Sequence, residues 1–469
     1  MSPAPLDLSP DDFSALAARV CEEAVRHLRE LDSTPIQPAT TGAQSVDLFS
    51  GPAPEQGLGA AALDALTDVA QHSRTGNGRF FGYVMGSGEP VAALGDFFAS
   101  VVNQNATAWR SGPATTVIER TVVGWLAEAL GCAGFSGTLT SGGSMANLMG
   151  LAMAREAKAP ANEDGVMAQA KAVVYASTAV HMSMGKAVGL LGLGRNNLRL
   201  LPIDADRRLD LAALRHAIAE DRAAGRKPIA VIASAGTIVT GSVDPIAEIV
   251  EIARDNDLWV HVDGAYGAPA AMVQPELFRG LADVDSVSVD AHKWLYQPLD
   301  CSLLLYRDAN AARSAFSLSD DYAVSLSADP IEGQMFFEET IELSRRVRAL
   351  KLWLSLRYHG LEAFRQSIAG NIAQAQRLAA RVDAEPDLER LADVPLSAVC
   401  FRWTGPDPAT LDEANAAILE RVNARGRVYL SNATLHGHFA LRACITNHRT
   451  TDADVDAVVE EVLAAASVR

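Results

Sequence analysis

The stretch SVSVDAHKWLYQP, residues 286–298, is the most informative part of the sequence for the fold. Serine and valine alternate over its first four positions, and this pattern indicates a buried strand. The strand pattern ends at Asp290, and His292 and Lys293 follow within three residues. Because burial penalises the charged form of an ammonium group, a lysine at the end of a buried strand points to a functional role.

Four further short apolar runs are separated by segments with helical periodicity. The runs are AVVYAS (172–177), IAVIAS (229–234), LWVHVD (258–263) and SLLLY (302–306), and the helical segments include residues 209–224 and 245–255. Apolar strands that alternate with helices are typical of a mostly parallel sheet covered by helices on both faces. The sequence therefore predicts an α/β domain.

The regions on either side of this domain have other patterns. Ser9 and Pro10 provide a helix cap and a first-turn proline, and apolar residues recur at helical spacing to Leu31. A loop rich in Pro, Thr and Gly is expected to follow, to about Gly59. The C-terminal region has helical patterns at 372–382 and 452–465 and strand patterns at 398–403 and 440–445. We therefore expect a helical N-terminal segment (1–77), a large α/β domain (78–361) and a small α+β domain (362–469).

Composition argues against several classes of protein. The chain has 469 residues, is 49% hydrophobic and carries a formal net charge of −17, so it can bury a large core and is not suited to a nucleic-acid partner. The sequence has neither a basic-then-apolar leader nor an apolar run of membrane-spanning length, so we expect a cytoplasmic protein without a membrane partner. The five scattered cysteines fit neither a disulfide framework nor a zinc site, and no metal is expected.

Polar residues stand at or just after the predicted carboxyl ends of the strands, where ligands bind in parallel α/β sheets. Asp263 ends one strand, His292 and Lys293 follow another, and His181 follows a third. The segment TLTSGGSMANLMG, residues 138–150, is a small-residue turn that leads into a helix, a geometry that binds anions. The set predicts a ligand with a phosphate, a group that pairs with a carboxylate, and a carbonyl that reacts with an amine. Pyridoxal 5'-phosphate (PLP) has all three.

The order of the motifs resembles that of the PLP-dependent group II amino-acid decarboxylases, and of the aromatic-L-amino-acid decarboxylases among them. The motifs are TSGGSMAN, VHMSMGKA, SAGTIVTGSVDPI, HVDGAYGA, DAHKW and LSRRVRALKLW, with RFFGYVMG, NQNATAWRSGPATTVIE and LRACITNHRTT as further matches. The resemblance covers nearly the whole chain. It implies a fold type I PLP-dependent transferase-like fold with a mostly parallel seven-stranded sheet.

The resemblance also implies a role for each residue near the reacting part of the cofactor. Lys293 should form the internal aldimine, with its pKa lowered by partial desolvation and nearby cationic groups. Asp263 should pair with the pyridine nitrogen and keep it protonated, so that the ring accepts the electrons left by the departing carboxylate. Thr237 should hydrogen-bond or orient that departing carboxylate. His181 should stack on one face of the ring, where it could also move protons, with Ala265 on the other face.

A second group of residues is expected to hold the phosphate. The resemblance assigns this role to His292 and to the backbone or hydroxyl groups of Gly143 and Ser144. The reaction implied is decarboxylation of an L-amino acid through a quinonoid intermediate to give an amine and CO2. Tyr322, in FSLSDDYAVSL, is the expected proton donor, on a loop that closes over the site of a neighbouring subunit. The chain is therefore expected to form a homodimer with its sites at the subunit boundary.

The substrate is predicted from aromatic residues in two of the further matches, RFFGYVMG and NQNATAWRSGPATTVIE. The FFGYV segment resembles the entrance of aromatic-amino-acid decarboxylases, so we expect Phe80, Phe81 and Tyr83 to line a side-chain pocket, with Trp109 of AWRSGP beside them. An aromatic amino acid is the expected substrate. Aromatic residues at such positions also pack protein cores, and that alternative remains open.

Other functions remain open at this stage. A glutamate-type pocket needs a cation for the distal carboxylate, and Arg79 and Arg110 are available by residue type. A 2,4-diaminobutyrate decarboxylase, a carbon-carbon lyase or transaminase-like enzyme, and a catalytically silent PLP-binding protein are further alternatives. Relatives with phenylalanine at the loop tyrosine oxidise their substrate with O2 and form aldehydes, so Tyr322 favours simple decarboxylation over this aldehyde-forming deamination.

Overall fold

The computed structural model describes residues 6–74, 76–168, 171–318, 327, 329–405 and 408–467. Tyr322, the expected proton donor, lies outside these residues. Within the described part of the chain, no helix combines the length and apolar character needed to cross a membrane.

A seven-stranded sheet forms the centre of the structure. Its strands are β1 (Ser136–Thr140), β2 (Ala172–Ser177), β3 (Leu198–Leu201), β4 (Lys227–Ser234), β5 (Trp259–Asp263), β6 (Ser286–Val289) and β7 (Ser302–Tyr306). They lie in the order β1-β7-β6-β5-β4-β2-β3. The five neighbouring strands β6, β5, β4, β2 and β3 pair in parallel, whereas β7 is antiparallel to both of its neighbours, β1 and β6. The predicted α/β fold with a mostly parallel sheet is confirmed.

Helices cover both faces of this sheet. The helices up to the end of the large domain are α1 (Pro10–Glu30), α2 (Gly42–Phe49), α3 (Ala65–Gln71), α4 (Pro90–Val102), α5 (Pro113–Ala129), α6 (Gly143–Lys158), α7 (Ser183–Leu190), α8 (Leu211–Ala223), α9 (Ile246–Asp255), α10 (Ala291–Trp294) and α11 (Ala309–Phe316). Alternate residues of a strand point to opposite faces. Leu303 and Leu305 of β7 accordingly join the core formed with α5, α8 and α9, while Leu304 joins the core formed with α6, α7 and α11.

The sequence analysis did not predict several elements, among them β1, β3 and α2. Strand β1 contains glycine and threonines, and β3 is a half-buried edge strand, so neither has the continuous apolar run that marks the central strands. The predicted loop before Gly59 contains helix α2. A capping box starts this helix, in which the Thr41 hydroxyl and the Gln44 side chain each bond the other residue's backbone N–H group.

The C-terminal lobe has its own antiparallel sheet. A long helix, α12 (Ala349–Ala384), leads into it, followed by β8 (Leu388–Arg390), β9 (Ala398–Trp403), α13 (Leu411–Arg425), β10 (Ser431–Leu435), β11 (His438–Cys444) and α14 (Asp452–Ala466). The strands lie in the order β10-β11-β9-β8. Gly360 interrupts α12 with φ 76° and ψ 153°, a conformation that favours glycine. This kink lies beside residue 361, the predicted end of the large domain.

A buried ion pair joins the LSRRVRALKLW segment to the large domain. Arg345 has no exposed side-chain surface, and its Nη2 lies 2.5 Å from the Glu119 carboxylate on α5. The same guanidinium group donates to Thr138 Oγ1 and to the Leu139 carbonyl on β1, each at 2.9 Å, and to the Ala106 carbonyl at 2.6 Å. These bonds connect α5, β1 and the loop after α4.

Replacing Arg345 with methionine should lower the free energy of unfolding by about 3–5 kcal/mol, because the Glu119 carboxylate would be left buried without its cation. Urea denaturation of the cofactor-free protein measures this loss. The control is Arg377→Met, which breaks a more exposed pair with Asp456 and should hardly move the unfolding midpoint. Equal effects of the two substitutions would contradict this account of the Arg345 pair.

Candidate active site

A cavity of about 450 Å³ lies at the carboxyl ends of the central strands. Strand β4 ends beside it at Ser234 and β5 ends beside it at Asp263, as expected for a ligand site in a parallel α/β sheet. The structure brings together in its lining all eight residues that the sequence analysis assigned to the cofactor: Gly143, Ser144, His181, Thr237, Asp263, Ala265, His292 and Lys293.

Asp263 is held in a fixed orientation by three donors. The Asn147 amide donates to Oδ2 at 3.1 Å, and the Ser288 hydroxyl and the Ala265 N–H group both donate to Oδ1 at 3.2 Å. Asn147 and Ser288 are therefore the side-chain donors that orient Asp263. Thr237, expected to orient the departing substrate carboxylate, lies in the cavity lining with its hydroxyl 3.1 Å from that of Thr240.

Lys293 forms an ion pair that the sequence analysis did not anticipate. Its Nζ lies 2.8 Å from Oδ2 of Asp290, and Asp290 is buried. The Ser302 hydroxyl donates to the other oxygen of Asp290 at 2.5 Å. The DAHK motif could have predicted this ion pair, because side chains three residues apart on a helix lie side by side. The amine expected to hold the cofactor is thus positioned by a buried carboxylate.

The two cavity histidines are held by different partners. His181 Nδ1 lies 2.8 Å from the Ser183 hydroxyl on α7, and His292 Nδ1 lies 3.0 Å from the Cys301 carbonyl oxygen. Burial lowers the pKa of both side chains below the ordinary histidine value. Both imidazoles are therefore neutral at pH 7.

The start of α6 forms the proposed phosphate cradle. Gly143 and Ser144 are its first two residues, so their N–H groups have no partner within the helix. A side chain on Gly143 would place its Cβ 2.8 Å from an Asp290 oxygen and 3.0 Å from the Ala265 Cβ, so only glycine fits here. With the Asp263 carboxylate and the Lys293 amine in the same cavity, the groups present fit the phosphate, pyridine nitrogen and aldehyde of PLP.

The four aromatic residues expected in the substrate pocket do not line this cavity. Phe81 has no exposed surface and packs in the core of the C-terminal lobe. Phe80 stacks on Tyr429 with ring centroids 5.0 Å apart, and Tyr83 is 48% exposed. Trp109 is half-buried, and its backbone N–H group donates to the Gln334 carbonyl at 3.0 Å, away from the cavity lining. From the FFGYV segment, Val84 is the residue that reaches the cavity.

The Ser-Val alternation of β6 has a specific cause. In the register of the sheet, Ser286 lies opposite His261 and Ser288 lies opposite Asp263. Their hydroxyls bond these two side chains, with Ser286 Oγ 2.8 Å from His261 Nδ1. Val287 points to the other face and packs in the core there. The serines therefore serve the polar groups of β5, a function that their position in the sequence alone did not reveal.

Comparisons with known proteins agree with this site. The model of the pyridoxal-dependent decarboxylase conserved domain matches residues 54–404. An aromatic-L-amino-acid decarboxylase of Bacillus atrophaeus is 33% identical, over 98% of this chain and 97% of its own. A 4-hydroxyphenylacetaldehyde synthase of Rhodiola rosea is 30% identical, over 96% and 94%. The crystal structure of Oryza sativa TDC with PLP and tryptamine superposes with a TM-score of 0.92 at 27% identity and covers 99% of both chains.

The chain belongs to the pyridoxal-dependent decarboxylase family. It is a PLP-dependent amino-acid decarboxylase, a carboxy-lyase with PLP as its cofactor. The predicted family, enzyme class and cofactor are confirmed.

Acidification should destabilise the protein through His261. Burial lowers the pKa of this side chain to about 4, whereas an unfolded histidine titrates near 6.5. Below pH 6.5 the unfolded chain therefore binds a proton that the folded chain binds only near pH 4. As the pH is lowered through this range, the free energy of unfolding should therefore decrease, by at most about 1.4 kcal/mol per pH unit for this group.

The test is the slope of unfolding free energy against pH, from urea titrations between pH 7 and 4.5. His261→Gln removes the titrating group and should make the slope shallower. His216→Gln, at an exposed histidine on α8, is the control and should leave it unchanged. An identical slope in all three proteins would show that His261 does not stay neutral in the fold.

Proposed function

We propose that the protein converts an aromatic L-amino acid to the corresponding amine and CO2. The observation that carries the proposal is the presence of Lys293, Asp263 and His181 in one cavity. PLP, when bound, supplies an aldehyde that condenses with the substrate amino group and a ring that accepts the electrons left by the departing carboxylate. A neutral imidazole and an oriented carboxylate are the groups that such a ring requires.

Each residue has a defined task in this proposal. Lys293, held by Asp290, presents its amine to the cofactor aldehyde and is displaced by the substrate amine. Asp263 keeps a proton on the pyridine nitrogen, because its three donors hold the carboxylate at the end of β5. His181 and Ala265 both line the cavity and would contact opposite faces of the cofactor ring, where they would limit access of water to it.

The cavity lining supports an apolar substrate side chain. Val84, Met145, Ile238 and Leu299 contribute apolar surface, and Lys293 is the only Lys or Arg among the described residues of the lining. A distal carboxylate would need a positioned cation. Arg79 donates instead to the Asp32 carbonyl, and Arg110 lines a separate cavity, so neither candidate for a glutamate-type pocket reaches this site.

The relatives support both the substrate class and a second product. The Bacillus relative is named an aromatic-L-amino-acid decarboxylase, and relatives from Oryza sativa are named tryptophan decarboxylases and a tyrosine decarboxylase. The Rhodiola rosea relative carries the name of an aldehyde synthase. An aldehyde-forming reaction is therefore the second candidate, and the residue at the loop position of Tyr322 is proposed to decide between them.

We also propose that the chain works as a homodimer in the cytoplasm. Helix α1 is amphipathic, yet none of its residues is buried within the chain, so its apolar side lacks a complete partner. Helix α4 lies beside it, with Phe13 and Phe97 stacked at 6.3 Å. The exposed apolar side chains of these two helices are Phe13, Val25, Leu28, Leu94, Phe97, Phe98, Val101 and Val102. Such a surface suits a subunit interface.

The substrate proposal is tested with the PLP-loaded protein and separate amino acids under air. The panel contains L-tyrosine, L-tryptophan, L-phenylalanine, L-dopa, L-glutamate and L-2,4-diaminobutyrate, with CO2 and organic products measured by mass spectrometry. We expect an amine from at least one aromatic substrate and no turnover by Lys293→Ala. Turnover of L-glutamate or L-2,4-diaminobutyrate alone would overturn the substrate class and leave the chemistry intact.

Replacing Tyr322 with phenylalanine should shift the product from amine toward aldehyde and ammonia, because the expected proton donor would be lost. Product ratios under air and under nitrogen measure the shift, which requires O2. Tyr358→Phe, at an exposed tyrosine of α12, is the matched control. An unchanged amine yield in Tyr322→Phe would reject the assignment of this residue.

Placing charge on α4 should dissociate the dimer. Leu94→Asp combined with Phe98→Asp puts two carboxylates on the exposed apolar side of the helix and should halve the mass measured by light scattering. Leu58→Asp, at an exposed leucine outside the two helices, is the control. A wild-type protein with the mass of one chain would contradict the proposed dimer directly.

A further inference from the structure

Asn147 connects two of the proposed cofactor-contacting residues. Its side chain is buried, and its amide nitrogen donates to Asp263 Oδ2 and to Ser183 Oγ, both at 3.1 Å. Ser183 in turn contacts His181 Nδ1 at 2.8 Å. The amide oxygen lies 3.0 Å from His261 Nε2. One side chain therefore touches both the branch to the carboxylate and the branch to the imidazole.

The Asp263 carboxylate sets the direction of the hydrogen bonds in this network. It can only accept, so the Asn147 nitrogen faces it and the Asn147 oxygen faces His261 Nε2. The proton of the neutral His261 ring is therefore on Nε2, and Nδ1 accepts from the Ser286 hydroxyl 2.8 Å away. The Trp259 indole donates to the same hydroxyl oxygen at 3.0 Å, which is compatible with this direction.

The same orientation reaches His181 through Ser183. The Asn147 nitrogen donates to the Ser183 hydroxyl oxygen, whose proton can then point to His181 Nδ1. The Ser183 backbone N–H group also donates to Nδ1, at 3.3 Å. Nδ1 is therefore an acceptor, and neutral His181 carries its proton on Nε2. A flipped Asn147 would place its oxygen against the Asp263 carboxylate and its nitrogen against the His261 N–H group.

The packing of α6 makes room for this arrangement. Gly143, Asn147 and Gly150 lie four and three residues apart, so they share one face of the helix. A Cβ on Gly150 would lie 2.6 Å from both Cε1 and Nδ1 of His261. Glycine within a helix costs about 1 kcal/mol relative to alanine. Here it leaves the space that the His261 ring occupies.

We infer that Asn147 and His261 are positioning residues for the cofactor, and that the hydrogen-bond network from Trp259 to Asn147 orients the Asp263 carboxylate and supports the Nε2-protonated tautomer of His181. The inference rests on the proposed roles of Asp263 and His181. Loss of this hydrogen-bond network should weaken cofactor binding and lower kcat, since both depend on Asp263. It should leave KM nearly unchanged, since neither residue belongs to the apolar lining that faces the substrate side chain.

The test compares His261→Phe and Asn147→Leu with a buried control, Tyr175→Phe. Tyr175 is fully buried in β2, and its hydroxyl donates to Asp221 at 2.8 Å, outside this network. For each protein, the Kd for PLP is measured by absorbance titration of the cofactor-free form, together with kcat, KM and thermal midpoint. We expect the Kd of both network variants to rise roughly tenfold to a hundredfold, the range for a hydrogen bond to a charged group, while Tyr175→Phe loses only thermal stability.

Two further variants test whether a loss of PLP affinity comes from the hydrogen-bond network rather than from a general disturbance of the fold. His261→Gln retains a donor toward Asn147 and should recover part of the PLP affinity. Gly150→Ala crowds the His261 ring without removing a polar group, so it should weaken PLP binding even if His261→Phe fails to fold. If PLP affinity in His261→Phe, or in Gly150→Ala where the former does not fold, stays within twofold of the Tyr175→Phe control, the inference is wrong.

Asp263→Asn separates this inference from the proposed function. If His261 acts through Asp263, the double variant with His261→Phe and Asp263→Asn should bind PLP hardly more weakly than Asp263→Asn alone, because the two effects are coupled. Fully additive losses would overturn the inference while the role of Asp263 stands. Unchanged PLP binding and activity in Asp263→Asn would instead reject the proposed role of Asp263, whatever the result at His261.

Discussion

The buried carboxylate of Asp263 is the constraint on which the rest of the site depends. A carboxylate in a buried position is stable only where donors satisfy its oxygens, and here they come from α6, β6 and the turn after β5. The elements that supply these donors also carry the other groups of the cavity. Helix α6 begins at Gly143, and β6 leads directly into the α10 helix that carries Lys293. Satisfying one carboxylate therefore positions the phosphate cradle and the reactive amine as well.

Much of this could be read from the sequence, because some features are local. The central strands are continuous apolar runs, and the polar residues that follow them must meet at one edge of a parallel sheet. Partners in hydrogen bonds are not local. Asn147 lies in a helix where an asparagine gives no signal of its own, and its link to His261 depends on how α6 crosses β5. The sequence predicted Phe81 in a substrate pocket, whereas the structure buries it in the core of the C-terminal lobe. The sequence of a short aromatic run does not show which of two lobes will bury it.

The structure also separates what the single chain determines from what it does not. The residues assigned to the cofactor lie in one chain, within one cavity. Apolar residues such as Val84 and Ile238 share the lining of this cavity, and they support the proposed substrate class. The exposed apolar sides of α1 and α4 belong to the proposed subunit interface, and the proposed choice of product rests on Tyr322, outside the described residues. The family and the cavity therefore establish the reaction class, whereas the proposals on substrate and product rest on groups around the cofactor site.

The most direct test of the central claim identifies the lysine that holds the cofactor. The PLP-loaded protein is reduced with sodium borohydride, which fixes the cofactor to the amine that carries it, and is then digested and analysed by mass spectrometry. The account predicts one modified peptide, with the phosphopyridoxyl group on Lys293. Modification of another lysine, such as Lys186 or Lys351, with Lys293 unmodified would contradict it.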